Sequence, residues 1–242
     1  MSTIANNIAK VAARIREAAQ AVARDPDEVR LLAVSKTQPA DAIRQASDAG
    51  LRDFGENYLQ EALEKQIALS DLSLTWHFIG PIQSNKTKAI AEHFDWVHSV
   101  DRLKIAQRLS GQRPESLPSL NICLQVNVSG EASKSGCEPQ DVSELAHAIA
   151  ALPRLRLRGL MTIPEPTEDP AEQRSAFARL QQLQRNLDLD LDTLSMGMSQ
   201  DLEAAIAEGA TWVRIGTALF GARAYPSQTA TDALRMNKGT SS

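Results

Sequence analysis

The feature that most constrains the fold is a repeated alternation between short apolar segments and longer amphipathic ones. The short segments have the length of strands, and most of them are bounded by charged residues, Gly or Pro. The strand candidates are residues 31–35, 53–55, 74–79, 95–100, 121–128, 157–163, 193–198 and 211–215. Eight strands that alternate with helices predict a parallel sheet whose strands are joined by crossover helices.

Helical patterns fill most of the intervals between these strands. In residues 4–23 the apolar side chains Ile4, Ile8, Val11 and Ile15 share one face. The other helix candidates are residues 39–49, 59–69, a segment through Leu103, Ala106 and Leu109, and residues 138–151, 170–187 and 200–207. At 242 residues, this α/β pattern predicts a single (β/α)8 TIM barrel. An open doubly wound sheet is the alternative, but no glycine-rich turn follows the first strand.

Length and composition limit the domain number and the class of partner. Residues 1–225 are expected to form one domain, and the polar residues 226–242 a loose tail. Lys and Arg total 26 against 30 Asp and Glu, so no positive field favours nucleic acid or an anionic membrane. No apolar run approaches the roughly 18 residues of a membrane span. We therefore expect a cytoplasmic protein without a nucleic-acid or membrane partner.

Neither the cysteines nor the histidines predict a metal site. Cys123 and Cys137 form no CxxC pair. His93 and His98 are five positions apart and have no carboxylate on the same face. A bound metal is therefore not expected.

Lys36 is the first candidate site residue, because it directly follows the first strand. In a barrel this position lies at the carboxyl end of the strand, in the mouth. Burial lowers the pKa of a lysine amine, and a neutral amine can form a Schiff base with a carbonyl compound. The alternative is a lysine whose amine extends from the strand end into solvent.

Small residues after the last two strands indicate a phosphate site. The segments are LSMGMSQD (194–201) and VRIGTALFG (213–221), where Ser199 offers a hydroxyl and Gly216 and Thr217 offer backbone N–H groups. The alternative is ordinary strand-to-helix turn chemistry with Ser199 as a helix cap. Together with Lys36, these segments describe a site for a phosphorylated carbonyl compound. Pyridoxal 5′-phosphate (PLP) and a sugar phosphate both fit this description.

Arg214 distinguishes these two ligands in part. It lies two positions before Gly216 on the last strand. An inward-facing arginine could donate to a pyridine nitrogen and keep it unprotonated, which weakens the ring as an electron sink. A salt bridge at the barrel rim is the alternative.

Seven blocks of the chain carry a resemblance to a known family. They read AVSKTQP (33–39), FGENYLQEA (54–62), WHFIGPIQSNK (76–86), QVNVSGEASKSG (125–136), GLMTI (159–163), LSMGMSQDLEAAI (194–206) and VRIGTALFGAR (213–223). In this order they resemble the YggS/PROSC family of PLP homeostasis proteins. The resemblance implies a single barrel similar to the N-terminal domain of alanine racemase, the fold of fold-type III PLP proteins.

The resemblance also implies roles for individual residues. Lys36 matches the PLP-bearing lysine, and Arg214 falls where the racemase-like fold places its pyridine-facing arginine. Ser199, Gly216 and Thr217 match the phosphate site. Two further residues of the family blocks lie near the ends of the second and third strands and are expected to face the cofactor, Asn57 and His77. The alternative for His77 is a hydrogen-bonded core histidine.

The resemblance favours a carrier that binds, buffers or delivers PLP without turnover, with PLP-dependent apo-enzymes as candidate recipients. The main alternative is a PLP-dependent racemase-like enzyme with weak activity, and a Schiff-base aldolase is a third. A racemase needs two positioned acid/base groups. In alanine racemases the second comes from a C-terminal domain for which this chain has no counterpart. We therefore expect no catalytic residues. The sequence shows no long apolar helix seam, so we also expect a monomer.

Overall fold

The computed structural model, which describes residues 2–130 and 135–221, contains a closed barrel of eight parallel strands in sequence order. The strands are β1 Arg30–Val34, β2 Asp53–Glu56, β3 Thr75–Phe78, β4 Trp96–Val100, β5 Leu120–Gln125, β6 Leu155–Met161, β7 Thr193–Ser195 and β8 Trp212–Ile215. Every predicted strand is confirmed with shifted ends. The predicted (β/α)8 barrel is therefore confirmed, and the open sheet is excluded because β1 pairs with β8.

Helices cover the outside of the barrel. They are α1 Thr3–Ala21, α2 Ala40–Asp48, α3 Leu59–Ala68, α4 Thr87–His93, α5 Leu103–Gln112, α6 Val142–Ala150, α7 Pro170–Arg185, α8 Leu202–Ala207 and α9 Thr217–Phe220. Helix α1 precedes the first strand and is capped by Ser2, whose hydroxyl accepts a hydrogen bond from the Ala5 N–H. Within the described ranges, no helix is long and apolar enough to cross a membrane.

The main core lies between the strands and the helices, and a smaller core fills the barrel. The outer core includes the fully buried side chains Phe54, Ile90, Leu109 and Phe177. Since both faces of a barrel strand are covered, the strands are buried on both sides. In β4 all five residues are buried. The predicted tail, residues 226–242, and the last four residues of the predicted domain lie outside the described part of the chain.

The order of the strands determines which loops share the mouth. Strand β1 lies between β2 and β8, and β7 is the other neighbour of β8. The carboxyl ends of β7, β8, β1 and β2, four of the eight strands, therefore form one continuous half of the barrel mouth.

Candidate cofactor site

Five of the predicted site residues lie in the segments that follow the four strands of this half. They are Lys36 after β1, Asn57 after β2, Ser199 beyond β7, and Gly216 and Thr217 after β8. An amine on β1 is thus next to the predicted phosphate segments on one side and to Asn57 on the other. The active sites of (β/α)8 barrels are built at this end of the strands.

The turn that carries Lys36 has a constrained backbone. Lys36 is half-buried, and Thr37 adopts a left-handed conformation with φ of 62°. A non-glycine residue is uncommon in this region. The Thr37 N–H donates to Glu61 Oε1 of α3 over 2.6 Å. The side chain of Glu61 therefore fixes the turn from the helix that follows β2.

A buried ion pair supports the same turn from behind. Lys65 of α3 is only 6% exposed. Its Nζ donates to the Ser35 carbonyl over 2.7 Å and to Glu56 Oε1 over 2.7 Å. The Ser35 hydroxyl also donates to Glu56 Oε1, over 2.6 Å. Burial raises the pKa of Glu56, while Lys65 opposes this shift.

Asn57 has a side-chain acceptor without a partner among the described residues. Its Oδ1 atom is buried and accepts no hydrogen bond from the described residues. A buried polar atom without a partner costs free energy, so such atoms often mark a place for a ligand or water. A donor group bound in the mouth beside Lys36 would satisfy Asn57, which is consistent with its predicted role.

The segments after β7 and β8 contain the residues predicted to bind a phosphate. Ser199 lies in a turn before α8, and its carbonyl accepts from Arg14 Nη1 over 2.8 Å. Gly216 caps α9, and Thr217 is the first residue of that helix. The first N–H groups of a helix have no intrahelical partner and can bind an anion. A Cβ on Gly216 would lie 3.1 Å from the Val34 carbonyl, so the strand end favours glycine.

Arg214 is buried and held by two neighbouring strands. Its Nη1 donates to Ser195 Oγ over 2.9 Å, and its Nη2 donates to the Thr162 carbonyl over 2.8 Å. Burial lowers the pKa of Arg214 to about 10, so the guanidinium stays charged at neutral pH. Of its five N–H donors, these bonds use only two. No further side-chain hydrogen bond of Arg214 is found among the described residues, and neither is the salt bridge at the rim that was considered as the alternative.

Hydrogen bonds continue from Ser195 through the barrel interior. Ser195 Oγ lies 2.8 Å from His98 Nδ1, and His98 Nε2 lies 3.0 Å from His77 Nδ1. His77 Nε2 lies 3.0 Å from Asp53 Oδ1. Strands β4 and β7 are not neighbours, so the bond between His98 and Ser195 crosses the lumen. We call the connected side chains of Asp53, His77, His98, Ser195 and Arg214 the interior chain.

The structure places His77 inside the barrel rather than at its mouth. It is fully buried, stacks on Trp96 at a centroid distance of 5.5 Å, and lies 5.0 Å from the Trp212 ring. Both of its ring nitrogens have protein partners. This arrangement matches the hydrogen-bonded core histidine considered as the alternative. A direct contact between His77 and the cofactor stays a prediction.

Two other features of the molecule lie apart from the mouth. A cleft at the amino ends of β1, β7 and β8 is lined by Arg30, Thr193, Trp212 and neighbouring charged residues, at the opposite end of the barrel.

Burial raises the pKa of the Cys123 thiol to about 12, so this cysteine is not a nucleophile at neutral pH. Among the described residues, no group of His, Cys, Asp and Glu is arranged to hold a metal ion.

The sequence did not indicate the residues that act behind the mouth. Of the interior chain, the residues that sequence analysis missed are Asp53, His98 and Ser195. Behind Lys36, the missed residues are Glu56, Glu61 and Lys65. A polar residue inside an otherwise apolar strand, such as His98 in WVHSV, was a signal that could have indicated the interior chain. Such residues must find partners within the barrel.

Comparison with known proteins identifies close relatives over most of the chain. The family model for the N-terminal domain of alanine racemase matches residues 6–224. A Pseudomonas aeruginosa protein named pyridoxal phosphate homeostasis protein is 76% identical over 225 residues, 93% of this chain and 98% of that protein. A protein of the same name from Escherichia coli K12 is 54% identical over 235 residues, 93% of this chain and 99% of that protein.

Solved structures share the fold. PipY of Synechococcus elongatus, solved with PLP bound, has a TM-score of 0.75 and 44% identity, and covers 86% of this chain and 100% of its own. Alanine racemase of Corynebacterium glutamicum has a TM-score of 0.67 at 19% identity, over 90% of this chain and 61% of that enzyme. The likeness to the racemase concerns the barrel alone.

Proposed function

The chain belongs to the alanine racemase N-terminal domain family, within the pyridoxal phosphate homeostasis proteins, and from this premise we propose that it binds PLP covalently through Lys36 and buffers or delivers it. PLP-bound PipY and the names of the relatives support PLP as the ligand. The observation that carries the proposal is the position of Lys36 between the phosphate segments and Asn57. When bound, PLP supplies an aldehyde that an amine can capture.

Each residue of the mouth has a role in this proposal. The Lys36 amine makes the covalent attachment, and the turn fixed by Glu61 orients it. Ser199 and the N–H groups of Gly216 and Thr217 bind the phosphate. Arg214 donates to the ring nitrogen, and in support its bonds to the described residues use only two of its N–H donors. Asn57 Oδ1 accepts from a donor of the bound molecule.

The finer parts of the proposal concern turnover, partners and location. We propose that the protein has no catalytic turnover, is a cytoplasmic monomer, and passes PLP to apo-enzymes. The relatives' names describe homeostasis rather than a reaction. An arginine on the ring nitrogen disfavours the protonated pyridine that stabilises a carbanion. Racemisation of L-alanine or L-serine at about 1 s⁻¹ or faster would contradict the carrier role and favour the racemase-like enzyme.

The Lys36 assignment is tested by absorption spectroscopy and borohydride reduction of the full chain with PLP. We expect a yellow protein that borohydride bleaches, with the pyridoxyl group mapped to Lys36 by mass spectrometry. Lys36→Ala should lose the covalent label and keep some PLP bound through its phosphate. Lys104→Ala, an exposed lysine of α5, is the matched control and should label normally. A wild-type protein that stays colourless with PLP would overturn the proposal.

A further inference from the structure

The interior chain runs from one end of the barrel to the other. It begins at Asp53, the first residue of β2, and ends at Arg214, near the carboxyl end of β8. His77, His98 and Ser195 are 0% exposed, and Arg214 is 4% exposed, so water does not compete for their hydrogen bonds. Asp53, at the amino end, has a side chain that is 33% exposed.

Only one set of tautomers satisfies every bond when both histidines are neutral. Arg214 can only donate, so Ser195 Oγ accepts from it. At the far end the Asp53 carboxylate can only accept, so His77 carries its proton on Nε2. Nδ1 of His77 must then accept from Nε2 of His98. His98 Nδ1 is therefore the acceptor for the Ser195 hydroxyl.

The neutral state of the two histidines follows from their surroundings. Burial lowers the pKa of His77, although Asp53 and Asp95 oppose the shift and Arg30 adds to it. Burial lowers the pKa of His98 well below its ordinary value, and the charge of Arg214 acts in the same direction, as a proton on His77 would. A proton on His77 would make its Nδ1 a donor and reverse the bonds up to Ser195. The serine oxygen would then accept from both His98 and Arg214, and its own hydroxyl hydrogen would lose its acceptor.

We propose that Asp53, His77, His98 and Ser195 are positioning residues that fix the guanidinium of Arg214 through one directional chain of hydrogen bonds. A free arginine side chain samples many rotamers, and restricting them costs conformational entropy. The bonds to Ser195 and Thr162 hold two of its nitrogens on adjacent strands. The role of Arg214 at the pyridine nitrogen rests on the proposed function, whereas the hydrogen-bond chain does not.

The tautomers can be measured directly by NMR of the full chain labelled with ¹⁵N-histidine, without added PLP. The sequence contains only four histidines, and His93 and His147 are exposed, so they provide reference signals. We expect His77 and His98 to be neutral, each with a proton on Nε2 and a bare Nδ1, at pH 7–8. The variants His77→Gln and His98→Gln assign the two signals. A proton on Nδ1 of either residue would overturn the proposed direction.

The positioning role is tested at Ser195 in the PLP-loaded protein. Ser195→Ala removes the link between Arg214 and His98 and should weaken PLP binding about tenfold, the loss of one hydrogen bond to a charged group. It should also shift the visible band of bound PLP. Ser195→Thr keeps the hydroxyl and should restore both. An unchanged band and affinity in Ser195→Ala would refute positioning, whereas absence of any PLP band in the wild type would refute only the proposed function.

Discussion

Lys65 shows how a single buried charge can stabilise the mouth. Its ammonium group has three acceptors, the Ser35 carbonyl and the carboxylates of Glu56 and Glu61, at 2.5–2.7 Å. Glu56 is fully buried. If Lys65 is removed, a buried carboxylate loses its cation, and breaking a buried ion pair costs more than the pair contributes. The effect on stability should therefore be large.

We predict that Lys65→Met lowers the free energy of unfolding by about 3 kcal/mol, measured by urea denaturation at pH 7. Lys88→Met is the matched control. Lys88 also pairs with a glutamate four positions away, but its Nζ lies 3.8 Å from Glu92 and its side chain is 71% exposed. The control should change stability by less than about 0.5 kcal/mol. Equal losses in both variants would contradict a stabilising role for the buried pair.

The sequence predicts the residues at the mouth better than those behind it. The positions of Lys36, Ser199 and Gly216 could be predicted from the sequence, because sites in this fold lie at the carboxyl ends of the barrel strands. The interior chain could not be predicted in this way. Strands buried on both faces lack the alternation of apolar and polar residues that shows which side chains face inward. His98 lies in such a strand, where every residue is buried. Its bond to Ser195 joins residues 97 positions apart, which no local pattern reveals.

At the scale of elements, strand identity was predictable and some helices were not. All the strands were found, because apolar segments bounded by breakers are a strong signal. Helix α4 was missed. It has seven residues, directly follows the 3-10 turn Ser84–Lys86, and lacks a side-chain cap. Of its residues, Ile90 and Ala91 are the buried hydrophobic ones, and two positions do not establish a helical period.

The close approach of β6 and β7 explains a glycine within a strand. A Cβ on Gly159 would lie 1.7 Å from the Thr193 carbonyl oxygen, its register partner on β7. We predict that Gly159→Ala separates these strands and lowers the free energy of unfolding by about 3 kcal/mol. Gly111→Ala tests the opposite case, because a Cβ there meets nothing within 4 Å on the exposed side of α5.

Gly111→Ala should raise the free energy of unfolding by about 0.5–1 kcal/mol, since alanine is the better helix former. Both variants are compared with the wild type by urea denaturation under the same conditions. The close strand pairing accounts for the effect of Gly159→Ala only if this substitution lowers the free energy of unfolding and Gly111→Ala raises it. A stabilising effect of Gly159→Ala would contradict the close contact between β6 and β7.

At the scale of the whole molecule, the buried histidines make stability depend on pH. Burial lowers the pKa of both His77 and His98 in the folded protein, and unfolding returns them to about 6.5. Below that pH the unfolded chain binds more protons than the native one, so the free energy of unfolding falls as the pH falls. Glu56 and Asp201 act in the opposite direction at lower pH, because burial raises their pKa values.

The contribution of His98 can be isolated by comparing slopes. As the pH falls below 6.5, the free energy of unfolding of the wild type should decline, and His98 should account for about 1.4 kcal/mol of this decline per pH unit. Urea denaturation at pH 7.5, 6.5 and 5.5 should therefore give a shallower decline for His98→Gln than for the wild type. His147→Gln, which replaces an exposed histidine of α6, should keep the wild-type slope. Identical slopes in all three proteins would mean that His98 titrates equally in both states, so the interior chain would not hold it neutral.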